Sequence, residues 1–157
     1  MKRWTFLLTV VAFLIILSSC QKQTIYNYGT ITATINNTTI FKSTTIGQAK
    51  ESPDSGQYFY TFGAVDSSAT LDFDLPTLAI GNYYFGLNAI SPNITYFSGS
   101  NYYNTITPSN TPTTGSIIIT STAKSSISGT FSGVLYNQNL ATDSVIITNG
   151  VFNNCNY

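Results

Sequence analysis

The chain has 157 residues, six basic and six acidic side chains, and no histidine. Without imidazole and with few carboxylates, general acid and base machinery is scarce, and metal sites built on His and Cys are excluded by count. No basic footprint exists for nucleic acid, so the expectation is a noncatalytic protein with no cofactor and no nucleic-acid partner.

The first element is an address. Met1-Lys2-Arg3 is a short basic start, Trp4 to Leu17 is apolar except for Thr5 and Thr9, and Leu17-Ser18-Ser19-Cys20 follows. That order of basic, apolar and small residues predicts a secretory signal peptide. The apolar run is too short for a membrane crossing, which needs about 20 residues. Leu17-Ser18-Ser19-Cys20 resembles the lipobox of bacterial lipoproteins. The resemblance implies that the signal 1–19 is cut away, and that Cys20 receives a thioether-linked diacylglycerol while its new amino group is acylated. Two or more acyl chains anchor stably. Residues 20–27 then form a tether whose last seven residues reach at most about 25 Å, and the membrane is a partner only through the lipid.

From Cys20 onward the charges are Lys22, Lys42, Lys50 and Lys124 against Glu51, Asp54, Asp66, Asp72, Asp74 and Asp143. There is no polybasic cluster for anionic headgroups. Disordered chains lack aromatics, whereas all 11 tyrosines and 8 of the 10 phenylalanines fall here, a composition that favours strands. With Cys20 lipidated, Cys155 has no partner for an internal disulfide. It is either a small buried apolar side chain or an exposed thiol able to pair with another chain.

Period-two alternation runs through the remaining chain. Ile31, Ala33 and Ile35 alternate with Thr30, Thr32 and Thr34; Asn36-Asn37 suits a tight turn, and Thr39 to Thr45 returns as a second strand. Gly47 to Gly56 reads as a polar loop. Tyr58, Tyr60 and Phe62 share one strand face; Leu71, Phe73 and Leu75 share another, with Pro76 ending that strand. Tyr83 to Ile90, apolar on both faces, is expected to be a central strand. Ile94 to Phe97 and Asn101 to Thr107 are short strands, and Pro108 to Thr114 is a loop. Ser116 to Thr120, Ser126 to Tyr136 and Ser144 to Phe152 complete the series. About nine strands without helical crossovers predict one all-β domain over 28–157, a single antiparallel β-sandwich, with a closed, lipocalin-like barrel as the alternative.

Several segments together resemble a family of small lipoproteins of unknown function common in Bacteroidota. They are Gly29-Thr30-Ile31-Thr32-Ala33-Thr34-Ile35-Asn36, Ile80-Gly81-Asn82-Tyr83, Gly115-Ser116-Ile117-Ile118-Ile119-Thr120, Ile127-Ser128-Gly129-Thr130-Phe131-Ser132 and Ile147-Thr148-Asn149-Gly150-Val151-Phe152. The family usually has Asn-Gly at the first turn, where this chain has Asn36-Asn37. The resemblance implies a β-rich lipid-anchored domain and brings no catalytic residues.

Candidate chemistry is sparse. Asp72 and Asp74 share a strand face roughly 6.5 to 7 Å apart. They are a weak calcium or acid–base candidate, although alternation with Leu71, Phe73 and Leu75 is also the pattern of a half-solvated strand. Tyrosine clusters are the better lead, because a ring stacks on the apolar face of a sugar and a phenol adds a hydrogen bond. Tyr96, Tyr102 and Tyr103, set among Ser, Asn and Gly, are expected to be exposed ligand contacts, with at least one of the consecutive pair turned inward. Asp143-Ser144-Val145 resembles the O-glycosylation sequon of Bacteroidota secreted proteins, which implies a glycan on Ser144.

These readings leave a noncatalytic envelope lipoprotein that binds a glycan or an envelope protein. The alternatives are a structural or assembly role, and a barrel that carries a small apolar ligand. Surface export of Bacteroidota lipoproteins resembles a code of acidic residues after the lipidated Cys. Gln21-Lys22-Gln23-Thr24 has none, so the expected location is the periplasmic face of the outer membrane.

Overall fold

The computed structural model describes residues 29–43, 45–46, 50–54, 57–88 and 91–156. The expected signal peptide, Cys20 and the tether lie outside the described residues. Among the described residues, twelve strands form one antiparallel sheet: β1 (Thr30–Ile35), β2 (Thr39–Lys42), β3 (Thr45–Ile46), β4 (Lys50–Asp54), β5 (Gln57–Val65), β6 (Ala69–Leu75), β7 (Gly81–Tyr84), β8 (Asn93–Ser98), β9 (Asn101–Asn104), β10 (Gly115–Ala123), β11 (Ser126–Asn137) and β12 (Ser144–Asn156). The described residues are all-β, as the alternation predicts.

The main path runs β2-β1-β12-β11-β9-β8-β6-β5-β3, with β10 and β7 branching from β11 and β4 pairing with β5. The branch arises because β11 is long: residues 126–133 pair with β10, whereas Tyr136 and Asn137 pair with β9. The sheet curls into an open half-barrel whose two halves face each other. The path begins at β2 and ends at β3, and only residues 43 and 44 separate these strands in the chain.

Alternation directs the packing. β6 buries Ala69, Leu71, Phe73 and Leu75 and leaves Thr70, Asp72 and Asp74 on the outer face. Across the interior, Phe73 meets Phe131 of β11 edge-on at 4.8 Å, stacks on Phe62 of β5 at 4.9 Å, and Phe62 meets Phe152 of β12 at 5.9 Å. Aromatic pairs at such separations add about 0.5 to 1.5 kcal/mol beyond area burial. Ile31, Leu71, Ile94, Ile117 and Leu135 are fully buried around them.

The first turn forms as its sequence suggests. Asn36 and Asn37 have φ of 50° and 59°, and Thr38 N–H donates to the Ile35 carbonyl at 3.1 Å. Two expectations are corrected. The segment read as a polar loop contains β4, whose backbone pairs with β5 from Lys50↔Thr61 to Asp54↔Gln57. Its Pro53 is compatible with an edge strand. The segment Tyr83 to Ile90, expected as a central strand, instead contributes, among the described residues, Tyr83 and Tyr84 to β7, which pairs with β10 alone. Leu87 is exposed, and residues 89 and 90 lie outside the described set. An apolar run states how much of a segment avoids water, not how many strands flank it.

Candidate binding face

The outer face of β6, β8, β9, β11 and the start of β12 collects most of the candidate residues. Cross-strand register places Asp72, Thr95, Asn104, Tyr136 and Ser144 in one row. A flanking row contains Thr70, Phe97 and Tyr102, and another pairs Asp74 with Asn93.

Tyr96, Tyr102 and Tyr103 do not share an exposed surface, which corrects the expectation of a three-tyrosine platform. Tyr96 and Tyr103 are 6% and 7% exposed, with ring centroids 5.9 Å apart on the inner face. Strand alternation sends Tyr102 outward, where its ring stacks on Phe97 at 5.1 Å with planes 17° apart. Phe97 is 39% exposed. The Tyr102 hydroxyl accepts from Asn104 Nδ2 at 3.0 Å, and Asn104 Oδ1 accepts from Ile106 N–H at 2.9 Å. The pair is thus an aromatic surface fixed beside an anchored amide.

The two aspartates are held differently. Asp74 Oδ1 accepts from Thr61 Oγ1 at 2.8 Å and Oδ2 from Asn93 Nδ2 at 3.4 Å. Asn93 Oδ1 in turn accepts from the buried Thr105 hydroxyl. Burial pushes the Asp72 carboxyl above the ordinary carboxylate value, and the neighbouring charge of Asp74 adds to the shift. Among the described residues, no group of three or more His, Cys, Asp or Glu could hold a metal ion. The pair therefore lies in a hydrogen-bonded outer face among Thr and Asn.

Tyr103 ends in a second network at the β11–β12 turn. Its hydroxyl donates to Asp143 Oδ2 at 2.9 Å, and the Asn137 amide donates to the same oxygen at 2.9 Å. The donated bonds, first from Asn137 and then from Tyr103, hold Asp143 below the usual carboxylate value. Burial, and then the bond to Asp143, push the Tyr103 phenol up. Ser144 follows at the start of β12, half-buried beside Tyr136. Cys155 is buried, its Sγ 4.0 Å from the Thr30 carbonyl, and burial pushes its thiol up to about 11.

A family model described as Domain of unknown function (DUF6252) matches residues 23–156. The chain belongs to the DUF6252 family. No curated protein and no solved structure matches it. In this DUF6252 domain, sequence reasoning missed a groove on the outer face of β10, β11 and β12 beside Tyr84. Two signals point there in retrospect: the Asn149-Gly150 step, which shifts the register, and the place of Tyr84 in the alternation of β7.

Proposed function

We propose that this chain is a noncatalytic, lipid-anchored envelope protein that binds a glycan through the outer face of its sheet. The observation that carries the reading is the division of aromatic side chains. Phe62, Phe73, Phe131 and Phe152 pack together inside, whereas the Phe97–Tyr102 pair and Tyr84 stand outside among hydroxyls and amides. Exposed rings beside hydrogen-bonding groups suit the alternating apolar and hydroxyl faces of sugars. A ring-filled interior counts against a small apolar ligand carried within.

In this reading Cys20 bears the lipid, and the protein is held at the periplasmic face of the outer membrane. Ser144 accepts an O-glycan in the same reading. An envelope protein is the second candidate partner, favoured by the Asp72, Phe97 and Tyr102 surface, because carboxylates and aromatic rings both attract cationic side chains.

The lipid is tested by metabolic labelling with a fatty acid, in which Cys20→Ala should remain unlabelled and unprocessed. Normal labelling of that variant overturns the anchor. Protease shaving of intact cells should spare the protein; its rapid loss places it on the cell surface. Binding of the detergent-solubilised full chain to immobilised envelope polysaccharide tests the glycan reading, which fails if only envelope proteins are retained.

A further inference from the structure

The outer face of β10, β11 and β12 carries a groove of about 380 Å³ lined by Ser116, Ile118, Thr130, Ser132, Asn149 and Val151. We infer that this groove, with Tyr84 at its rim, binds a neutral oligosaccharide. The inference rests on the glycan-binding reading above and assigns it a place and a ligand class.

Register brings the parts together. Tyr84 pairs with Ser116, which pairs with Ser132; in the adjacent row Asn82, Ile118, Thr130 and Val151 are successive cross-strand neighbours. With strands about 4.8 Å apart, three steps across the sheet span about 14 Å. That is room for more than one sugar ring, and the volume falls within the range of about 300 to 1,000 Å³ of small-ligand sites.

Each lining group has a use. Tyr84 is 70% exposed, so its ring is free to stack on a sugar. Ser116, Thr130 and Ser132 each donate and accept through a hydroxyl, and the Asn149 amide does both. Ile118 and Val151 supply methyl groups for the C–H face. Among the described residues, no lining side chain is charged; a sugar carboxylate would therefore lose hydration without gaining a counter-charge. That selects a neutral ligand.

The site is also prearranged. Tyr83, before Tyr84, donates its hydroxyl to the Ala79 carbonyl at 2.7 Å. Phe85, after it, is buried and donates N–H to the Gly115 carbonyl at 3.2 Å. A Cβ at Gly115 or Gly133 would lie 2.4 Å from the Phe85 ring, so both glycines are needed for that ring to seat. With both neighbours fixed, Tyr84 has little backbone freedom left to lose on binding. On the other side, Asn149 with φ of 51° sits within a stretch where the β11–β12 register shifts between Phe131 and Gly133.

Calorimetric titration of the detergent-solubilised full chain with neutral cello-, manno-, xylo- and malto-hexaose, and with anionic hexagalacturonate, tests the inference. A neutral hexasaccharide should bind and the anionic one should not. Tyr84→Ala should weaken binding about tenfold or more, and Tyr84→Phe should largely preserve it. Asn149→Gly, which keeps the backbone allowed, should weaken it several-fold. Thermal unfolding should show Tyr84→Ala folded, because the ring is exposed. Binding that survives Tyr84→Ala but is lost in Phe97→Ala overturns the groove and leaves the glycan reading standing. Preference for hexagalacturonate overturns the neutral ligand, and no binding to any of the five sugars overturns both.

Discussion

The Tyr103 hydroxyl and the Asp143 carboxylate join the β8–β9 hairpin to the β11–β12 turn at 2.9 Å. Because Asp143 titrates below its ordinary value of 3.8, its contribution to stability is complete above the unfolded value. It is lost as pH falls through the lower folded one. The stability difference between the parent and Tyr103→Phe, followed by denaturant unfolding, should therefore shrink below about pH 4. At neutral pH the same substitution should lower stability, because it removes a donor from the Asp143 carboxylate. An unchanged acid limb would mean that Asn137 alone accounts for the shift.

Truncating the four rings of the β8–β9 hairpin should separate its two faces. Tyr96→Ala and Tyr103→Ala each remove a buried ring and should cost about 3 to 5 kcal/mol. Tyr102→Ala and Phe97→Ala lie outside and should each cost about 1 kcal/mol or less, mainly through the lost stack. Melting temperatures of the four single variants check the order.

Cys155 should resist an aqueous thiol reagent until the chain unfolds, since it is buried and its thiol titrates at about 11. The folded value lies above the ordinary thiol value of 9.0, so burial of the neutral thiol stabilises the fold below about pH 9. That contribution is lost as pH rises toward 11. Labelling kinetics in the native state and in denaturant make the measurement, and fast native labelling would contradict the burial.

Gly150 offers a steric test of the β11–β12 register. An added Cβ would lie 2.3 Å from the Phe131 carbonyl oxygen and 2.6 Å from its ring. Because one obstacle is backbone, Gly150→Ala should destabilise by about 1 to 3 kcal/mol. Thermal unfolding that matches the parent would show that β12 can shift there at little cost.

Local chemistry was legible where it controls structure alone. Asn36-Asn37 announces its turn because few residues accept positive φ, and Leu71-Asp72-Phe73-Asp74-Leu75 announces a strand with one wet face. β4 was illegible because Lys50-Glu51-Ser52-Pro53-Asp54 has no apolar period, and its strand state comes from pairing with β5. Tyrosine exposure was half legible. Alternation separates Tyr102 from Tyr103, but which member faces inward depends on the register with Tyr96 and Phe97. The groove depends on how three consecutive strands pair, on a register shift between two of them and on Tyr84 brought in from β7, so no single strand's pattern contains it.

The position of β1 between β2 and β12 also orders events in time. A chain delivered from its N-terminus has its first strand available early, yet Ile31, Ala33 and Ile35 stay without their β12 neighbours until residues 144–156 arrive. The last strand is thus the completing step, and such non-local pairing places folding toward the slow end, about milliseconds to seconds. A chain stopped short of Ser144 would leave β1 and β11 each with an open edge, the condition under which strands pair with other molecules.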